Sequence, residues 1–440
     1  MKHSDSVKAI LLAAIDSLAA DPEKYAKRPG RDFTRNRKLG FKGLIRMLLT
    51  MEGECIREEI YTYFGRSAAA PSKAAFYRQL HKLKDGALRC LLLSFNRQLK
   101  NNLFNGKYRL VACDGSALDI FRNPDDPDTF YPPSGMSPKG YNQAYINAFY
   151  SILDRRFIDL VIQPGRKRNE YSAFCQMADA AGPAGDGPAS VCLGGRGCAS
   201  CNNFAHVIEN GQFFLIRCTD KKTEGILGRS LEGMREMDIH TECILSRSQS
   251  KKQRAHPEFP ERYRHICRDV PLDYLTDDRR EYSIALRAIR VEISPGSFEN
   301  LITNLPDHEF DMEDFKELYH LRWSQENAYR DIKYPLCLKA LHSKKYEYVA
   351  QEIRARAILH NFCSEIALNV EIEQSGKKYE YQANYSEAVK TCRDFLRIHD
   401  GKSVMDAESL IVVNIEAVRP GRAFPRRKRF KIPMSFCYRN

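Results

Sequence analysis

The sequence predicts an α/β fold with a mixed sheet, preceded by a helical region. Three observations support this prediction. Over about the first 105 residues, apolar side chains recur every three or four positions, which indicates amphipathic helices. From Lys107 onward, short β-branched and apolar runs replace that spacing and resemble a meander of strands. Further along, short strands alternate with helical segments, which is typical of an α/β domain.

The amino-acid composition limits the kinds of protein that this chain can be. The chain has 440 residues, of which 43% are apolar, so a globular protein of two or three domains is expected. A net charge of +13, from 69 Lys and Arg against 56 Asp and Glu, suits a polyanionic partner such as nucleic acid. No apolar run is long enough for a membrane span. Fourteen cysteines without paired spacing fit a reducing cytoplasm.

The helical region contains a basic segment between its first two helices, KYAKRPGRDFTRNRKLGFK. A helix that follows a basic arm is typical of a DNA-docking module, and the alternative is a solvated charged loop. Pro71 and Ser72 predict the start of a later helix. A second basic segment, RPGRAFPRRKRFKIP, lies in the C-terminal tail.

Strands and helices alternate in the α/β region. The run YRLVACDGSAL predicts a strand that ends at Asp114, and the runs YINAFYSILD and RFIDLVIQP predict the next two. The segment ASVCLG predicts a short strand, followed by the helix CNNFAHVIENG, which Gly211 stops, and the strand QFFLIRC. YSIALRAIRVEI predicts another strand.

One long helix is predicted from Asp311 to Pro335, in the stretch DMEDFKELYHLRWSQENAYRDIKYP. At 100° per residue, its apolar face consists of Phe315, Leu318, Leu321, Ala328 and Ile332. Four polar residues cluster at the edge of this buried face: Tyr319, Arg322, Glu326 and Lys333. Their position indicates a functional cluster, and the alternative is a partly buried ion pair between Arg322 and Glu326.

The spacing Tyr319-x2-Arg322-x3-Glu326-x6-Lys333, with Trp323 inside it, resembles the Y-R-E-K signature of insertion-sequence-4-type DDE transposases. Asp114 in VACDGSAL is similar to the first catalytic aspartate of that family. The blocks GRKRNEYSAF, FAHVIENGQFFLIR and ENLITNLP also resemble family blocks, in the same order. The resemblance extends from about residue 30 to the C-terminus.

This resemblance implies a domain organisation. Residues 106–365 would form a ribonuclease-H-like DDE domain with a mixed sheet and a β-rich insertion at about 218–305. Residues 1–105 would form an N-terminal helical DNA-binding domain, and residues 366–440 a C-terminal region with the basic tail. The implied partner is double-stranded DNA at transposon ends, bound by a homodimer in the bacterial cytoplasm, in association with the nucleoid.

The resemblance also implies the chemistry. Two divalent ions, Mg²⁺ or Mn²⁺, would activate a water or a 3′-hydroxyl and stabilise the leaving oxygen. Asp114 and Glu326 would be metal ligands. Among the other signature residues, Arg322 and Lys333 would grip phosphates near the cut. Tyr319 would hydrogen-bond a phosphate, and Trp323 would stack on a displaced base.

The second catalytic aspartate of the family heads a D-R-G tripeptide after a strand. Here the corresponding residues are Gly194-Gly195-Arg196-Gly197, so Gly195 occupies the aspartate position. Neither Asp186, Glu209 nor Asp220 is expected to replace it. We therefore expect impaired strand cleavage with DNA binding largely retained, and a non-catalytic DNA-binding relic is the alternative.

The motif Cys198-x-x-Cys201 supports an alternative hypothesis about function, in which this segment is a zinc or redox site. No second C-x-x-C accompanies it, so the favoured interpretation is a pair of cysteines on a helix that enters the core. A dinucleotide fingerprint at Gly195-x-Gly197-x-x-Ser200 lacks its last glycine.

Overall fold

The computed structural model describes residues 2–135, 137–182, 187–259, 261–398 and 405–418. Within these ranges, ten strands form one mixed sheet, and helices pack on both of its faces. The predicted α/β class with a mixed sheet is therefore confirmed. Asp186 and the basic tail RPGRAFPRRKRFKIP lie outside the described residues.

Five amphipathic helices precede the sheet. They are α1 (His3–Ala20), α2 (Phe41–Thr50), α3 (Ile56–Tyr63), α4 (Lys73–Leu80) and α5 (Ala87–Arg97). The side chain of Ser72 accepts a hydrogen bond from the backbone N–H of Ala75 and so caps α4, at the helix start that the sequence predicts. Residues at helical spacing, such as Val7, Leu11 and Leu18, are buried along one side of α1.

The sheet begins at residue 109 and its strands are interrupted by helices. The strands are β1 (Arg109–Ile120), β2 (Phe130–Tyr131), β3 (Tyr141–Ser151), β4 (Arg156–Pro164), β5 (Ser190–Gly194), β6 (Phe213–Cys218), β7 (Met237–Ser246), β8 (Tyr263–His265), β9 (Glu281–Ser294) and β10 (Ser297–Thr303). Their order is β2-β3-β1-β5-β6-β10-β9-β7-β8, and β4 pairs with β3. β1, β5 and β6 are parallel, and β1 is antiparallel to β3.

The β-rich segment expected at 218–305 continues the main sheet. β10 pairs with β6, and β9 joins β10 to β7, all in antiparallel register. Gly296 takes a positive φ of 75° in the tight turn between β9 and β10, where glycine has no steric penalty. The segment therefore widens the existing sheet on the side away from β1.

Helices cover the two faces of the sheet. Those within and after it are α6 (Glu170–Ala181), α7 (Cys201–Glu209), α8 (Asp220–Leu227), α9 (Lys251–Arg254), α10 (Met312–Leu321), α11 (Ser324–Lys333), α12 (Tyr346–Leu368), α13 (Tyr385–Arg397) and α14 (Ala407–Val413). A small antiparallel pair, β11 (Tyr381–Ala383) and β12 (Ile415–Ala417), lies near the C-terminal end of the described chain. No helix in the described ranges combines the length and apolar content that crossing a bilayer requires.

The N-terminal helices share their hydrophobic core with the sheet. Leu11 and Phe95 belong to the same buried cluster as Phe362 of α12 and Phe395 of α13. Helix α12, which is buried along most of its length, thus lies between the N-terminal helices and strand β4. The first 105 residues are packed as part of this common core.

The long helix predicted from Asp311 to Pro335 is divided, so that prediction is wrong. α10 ends at Leu321 and α11 begins at Ser324. At the break, Arg322 and Trp323 donate backbone hydrogen bonds to the third residue before them instead of the fourth, which tightens the turn. Asp311 caps the first helix with its side chain, as predicted.

Candidate active site at the ends of strands β1 and β5

The candidate site lies where β5 stops pairing with β1. The parallel register joins Cys113 to Gly194, so Asp114 and Gly195 are the next residues on neighbouring strands. β1 continues to Ile120 against β3, whereas β5 ends at Gly194. Asp114 therefore lies within its strand and not at the predicted end, because β3 supports β1 beyond the point where β5 leaves it.

The carboxylate of Asp114 is partly enclosed. Burial raises its pKa, while a hydrogen bond of 2.9 Å from the backbone N–H of Gly115 and the charge of Arg322 act in the opposite direction. The carboxylates of Glu326 and Glu170 raise the pKa further. Asp114 thus lies in a field of several negative charges and one positive charge.

Helix α11 is fixed against β1 and β3 by two polar side chains. The hydroxyl of Tyr329 donates to the carbonyl oxygens of Asp114 at 2.8 Å and Ile146 at 3.3 Å. The amide Nε2 of Gln325 donates to the carbonyl oxygen of Ala148 at 3.0 Å. Both are buried positioning residues that the sequence reasoning missed, because their partners are backbone atoms distant in the chain.

Helix α11 also carries two of the predicted site residues, Glu326 and Lys333. Glu326 follows Gln325 on α11, and its charge acts on Asp114. Lys333, at the end of the same helix, donates to Ser116 Oγ at 2.6 Å and to the carbonyl oxygen of Ala117 at 2.8 Å. Lys333 is thus placed further along β1 than the two carboxylates.

The two residues at the break between α10 and α11 differ in exposure, since Arg322 is buried and Trp323 is exposed. Nη1 of Arg322 lies 3.6 Å from Oδ2 of Asp114, and its guanidinium lies 5.4 Å from the centre of the Tyr319 ring. Arg322 and Tyr319 are buried. Trp323 is 51% exposed and stacks beside the ring of His320, with centroids 6.4 Å apart.

Gly195 leaves an open position beside Asp114. Its backbone is extended, with φ −79° and ψ −175°, so any residue can adopt this conformation. A Cβ atom at this position would meet one described atom within 4 Å, Nη1 of Arg322 at 3.9 Å. A Cβ at position 195 therefore needs no backbone movement and would lie beside the guanidinium.

Glu170 is a further carboxylate that the sequence reasoning did not single out. Its Oε1 accepts a hydrogen bond of 2.6 Å from the hydroxyl of Tyr145. Its Oε2 lies over the turn after β5, only 2.2 Å from where a Cβ of Gly197 would be. A side chain at position 197 would therefore displace the carboxylate of Glu170. The block GRKRNEYSAF, which contains Glu170, was the available signal.

The two cysteines of the C-x-x-C segment lie in different environments. Cys198 is buried in a short 3₁₀ turn, and its thiol approaches the carbonyl oxygen of Cys113 at 3.7 Å. Cys201 is the first residue of α7, so only this cysteine is on the helix. Burial raises the pKa of both thiols, which disfavours the thiolate that metal binding or nucleophilic chemistry needs.

The two other candidate acids, Glu209 and Asp220, already have ion-pair partners. Glu209 forms an ion pair with Arg279 at 3.4 Å. Asp220 pairs with Arg290 at 3.0 Å and also accepts a hydrogen bond from Asn300. Glu209 is therefore engaged by Arg279. Asp220 follows β6, the strand next to β5, but its carboxylate is already engaged by Arg290 and Asn300.

The donor set at the strand ends is incomplete for a pair of divalent ions. In the described part of the chain, no three Asp, Glu, His or Cys side chains lie close enough together to hold a metal ion. Asp114 and Glu326 are carboxylates of the type such ions need, but Gly195 adds no donor. The residues present do not fit the two-ion centre, and the missing donor is the one that position 195 would supply.

A comparison with protein families matches residues 105–362 to the transposase DDE domain, which is more than half of the chain. The chain belongs to the transposase DDE-domain family. The match runs from just before β1 to α12, so it contains both strand ends and both signature helices. DDE transposase domains generally depend on divalent metal ions. The expectation of a DDE transposase is confirmed.

The chain was also compared with curated proteins and with solved structures. The search of curated proteins gives no match. Among solved structures, the chain is similar to a piggyBac transposase in a synaptic complex with hairpin DNA, with 9% identity and a TM-score of 0.44. That similarity covers 88% of this chain and 77% of the other.

Proposed function

We propose that this DDE transposase is of the insertion-sequence-4 type, binds the ends of its transposon and is impaired in strand cleavage. One observation carries the proposal. Asp114 and Gly195 each follow directly after the last residues that pair β1 with β5, Cys113 and Gly194, and only Asp114 has a carboxylate. A site that needs carboxylates from both strand ends loses one negative charge and two oxygen donors.

The Y-R-E-K assignment gives each signature residue a role. Glu326 is the carboxylate on α11 whose charge raises the pKa of Asp114, and Lys333 is the cation further along β1. Trp323 is the residue that stacks on a base at the transposon end, which its 51% exposure supports. By the signature, Tyr319 and Arg322 would contact the phosphate at the cut.

DNA binding does not depend on the missing carboxylate. The net charge of +13 favours a polyanion, and the basic segment between α1 and α2 provides a contact surface. We assign end recognition to residues 1–105, catalysis to 106–365 and auxiliary DNA contacts to 366–440, with two copies of the chain on a pair of DNA ends.

The impaired enzyme and the non-catalytic relic would have the same site. They would differ only in whether the chain retains a low rate of DNA cleavage. In either case the natural chain is expected to occupy transposon ends without cutting them at an appreciable rate. Cleavage in a variant with a full carboxylate set would require Mg²⁺ or Mn²⁺.

The test uses labelled DNA that carries the terminal inverted repeats flanking the gene. A gel-shift titration is expected to show salt-dependent binding by the natural chain, because phosphate contacts release counterions. The same DNA incubated with Mg²⁺ or Mn²⁺ is expected to stay uncut, as it does with Asp114→Asn. Binding no tighter than to unrelated DNA would contradict end recognition. Efficient cutting by the natural chain would contradict the impairment.

A further inference from the structure

The guanidinium of Arg322 lies between the two strand ends. Its Nη1 is 3.6 Å from Oδ2 of Asp114 and 3.9 Å from where a Cβ of residue 195 would be. A cation shared by carboxylates on these two strands would lie in this same region. Arg322 therefore fills the position between Asp114 and the open side of Gly195.

Arg322 is enclosed as a buried charge. Its side chain is 10% exposed, and its Nε has no hydrogen-bond acceptor among the described residues. A buried guanidinium needs an opposite charge nearby, because leaving water is costly for an unpaired ion. Asp114 supplies that charge at 3.6 Å, and the guanidinium opposes the larger effect of burial, which raises the pKa of Asp114.

We propose that Arg322 takes the place of a divalent cation in this chain and neutralises Asp114 in a site that binds no metal ion. This inference rests on the proposed function, because it assumes that the strand ends form the active site. It assigns Arg322 a positioning role at Asp114 that differs from the phosphate contact implied by the signature. An aspartate at position 195 would add a second carboxylate beside the guanidinium and restore the demand for a divalent ion.

The experiment is a calorimetric titration of the DNA-free full chain with Mn²⁺. The binding that counts is the part that Asp114→Asn removes, since other surface carboxylates also bind Mn²⁺ weakly. The natural chain is expected to show no such part, whereas Gly195→Asp is expected to show saturable binding. Asp114-dependent Mn²⁺ binding by the natural chain, or none by Gly195→Asp, would overturn the inference.

A second pair of variants isolates Arg322. Arg322→Ala is expected to lower the thermal midpoint, and Mn²⁺ is expected to restore part of the loss, because the ion can then occupy the freed position. Arg322→Lys is expected to keep the midpoint insensitive to Mn²⁺. A merely structural arginine would give a lower midpoint in Arg322→Ala that Mn²⁺ does not change, and this result would also overturn the inference.

Each of the two proposals can be contradicted without contradicting the other. The metal titrations contain no DNA, so they report only on the cation position. A chain that binds no Mn²⁺ and also ignores transposon ends would contradict the proposed function and leave the cation assignment standing. A chain that binds the ends and also binds Mn²⁺ at Asp114 would contradict the cation assignment and leave the proposed function standing.

Discussion

The ends of β1 and β5 are adjacent in the sheet but differ in what they carry. At β1, Asp114 holds an ion pair with Arg322, and its carbonyl oxygen accepts a hydrogen bond from Tyr329. At β5, Gly195 has an extended backbone and no side chain. The space beside Gly195 is open, so the scaffold does not depend on a side chain at 195. Stability and chemistry are thus separable at this site.

The largest expected effect concerns the core beneath the β1 end. Phe157 is fully buried and its ring contacts Tyr150, Tyr329 and His360. Phe157→Ala is expected to lower the free energy of unfolding by about 3–5 kcal/mol, because it leaves a cavity. Urea denaturation measures the loss, with Phe157→Leu as the milder control. Losses of equal size in both variants would show that the cavity is not the cause.

The next effect concerns a buried ionic contact remote from both strand ends. Burial alone lowers the pKa of His342, but the carboxylates of Glu352 and Glu59 outweigh it and raise the pKa to about 9. Because the folded-state pKa exceeds the ordinary value of about 6.5, the stabilisation is complete below about pH 6.5 and is lost as the pH rises through about 9.

The measurement compares the natural chain with His342→Gln in urea at several pH values. The difference in the free energy of unfolding is expected to be about 3 kcal/mol larger at pH 6 than at pH 10. A difference that does not change with pH would mean that folding leaves the pKa of His342 near its ordinary value, and a smaller difference at pH 6 would mean that His342 is uncharged in the folded chain.

A smaller effect tests the anchor between α11 and β1. Tyr329→Phe removes the hydroxyl that donates to Asp114 and Ile146, leaving two buried carbonyl oxygens with one bond fewer. The expected loss in the free energy of unfolding is about 1–3 kcal/mol. Tyr334→Phe is a matched control because Tyr334 is 58% exposed. If the two variants were equally stable, the anchor would contribute nothing.

The smallest effect compares two glycines of the same turn. Gly195→Ala is expected to leave the free energy of unfolding nearly unchanged, since a Cβ there meets only ordinary contact. Gly197→Ala is expected to cost about 1 kcal/mol, because its Cβ displaces the Glu170 carboxylate from Tyr145. The reverse order of stability would show that position 195 is the more closely packed of the two.

Much of this architecture is predictable from local patterns. Alternating apolar runs identify the strands around Asp114 and β9, and Ser72 and Gly211 mark the ends of helices. The family resemblance to DDE transposases depends on residues whose spacing is visible in the chain. These features are local, and they do not depend on how distant segments pair.

Features that depend on distant partners were not predictable. The register that puts Asp114 next to Gly195 is set by parallel pairing across 81 residues of chain. The anchors Gln325 and Tyr329 bind backbone atoms of β1 and β3, which no side-chain pattern reveals. The break at Arg322 and Trp323 leaves the 3.6-residue periodicity nearly intact, so the sequence shows one helix.

The most direct test of the account is the rate at which Gly195→Asp cuts transposon-end DNA in Mn²⁺, relative to the natural chain. A metal centre supplies several kcal/mol of transition-state stabilisation, so we expect a gain of about a hundredfold or more. The gain should disappear when Asp114→Asn is added to Gly195→Asp. Equal cutting by Gly195→Asp and the natural chain would contradict the claim that position 195 is the missing carboxylate.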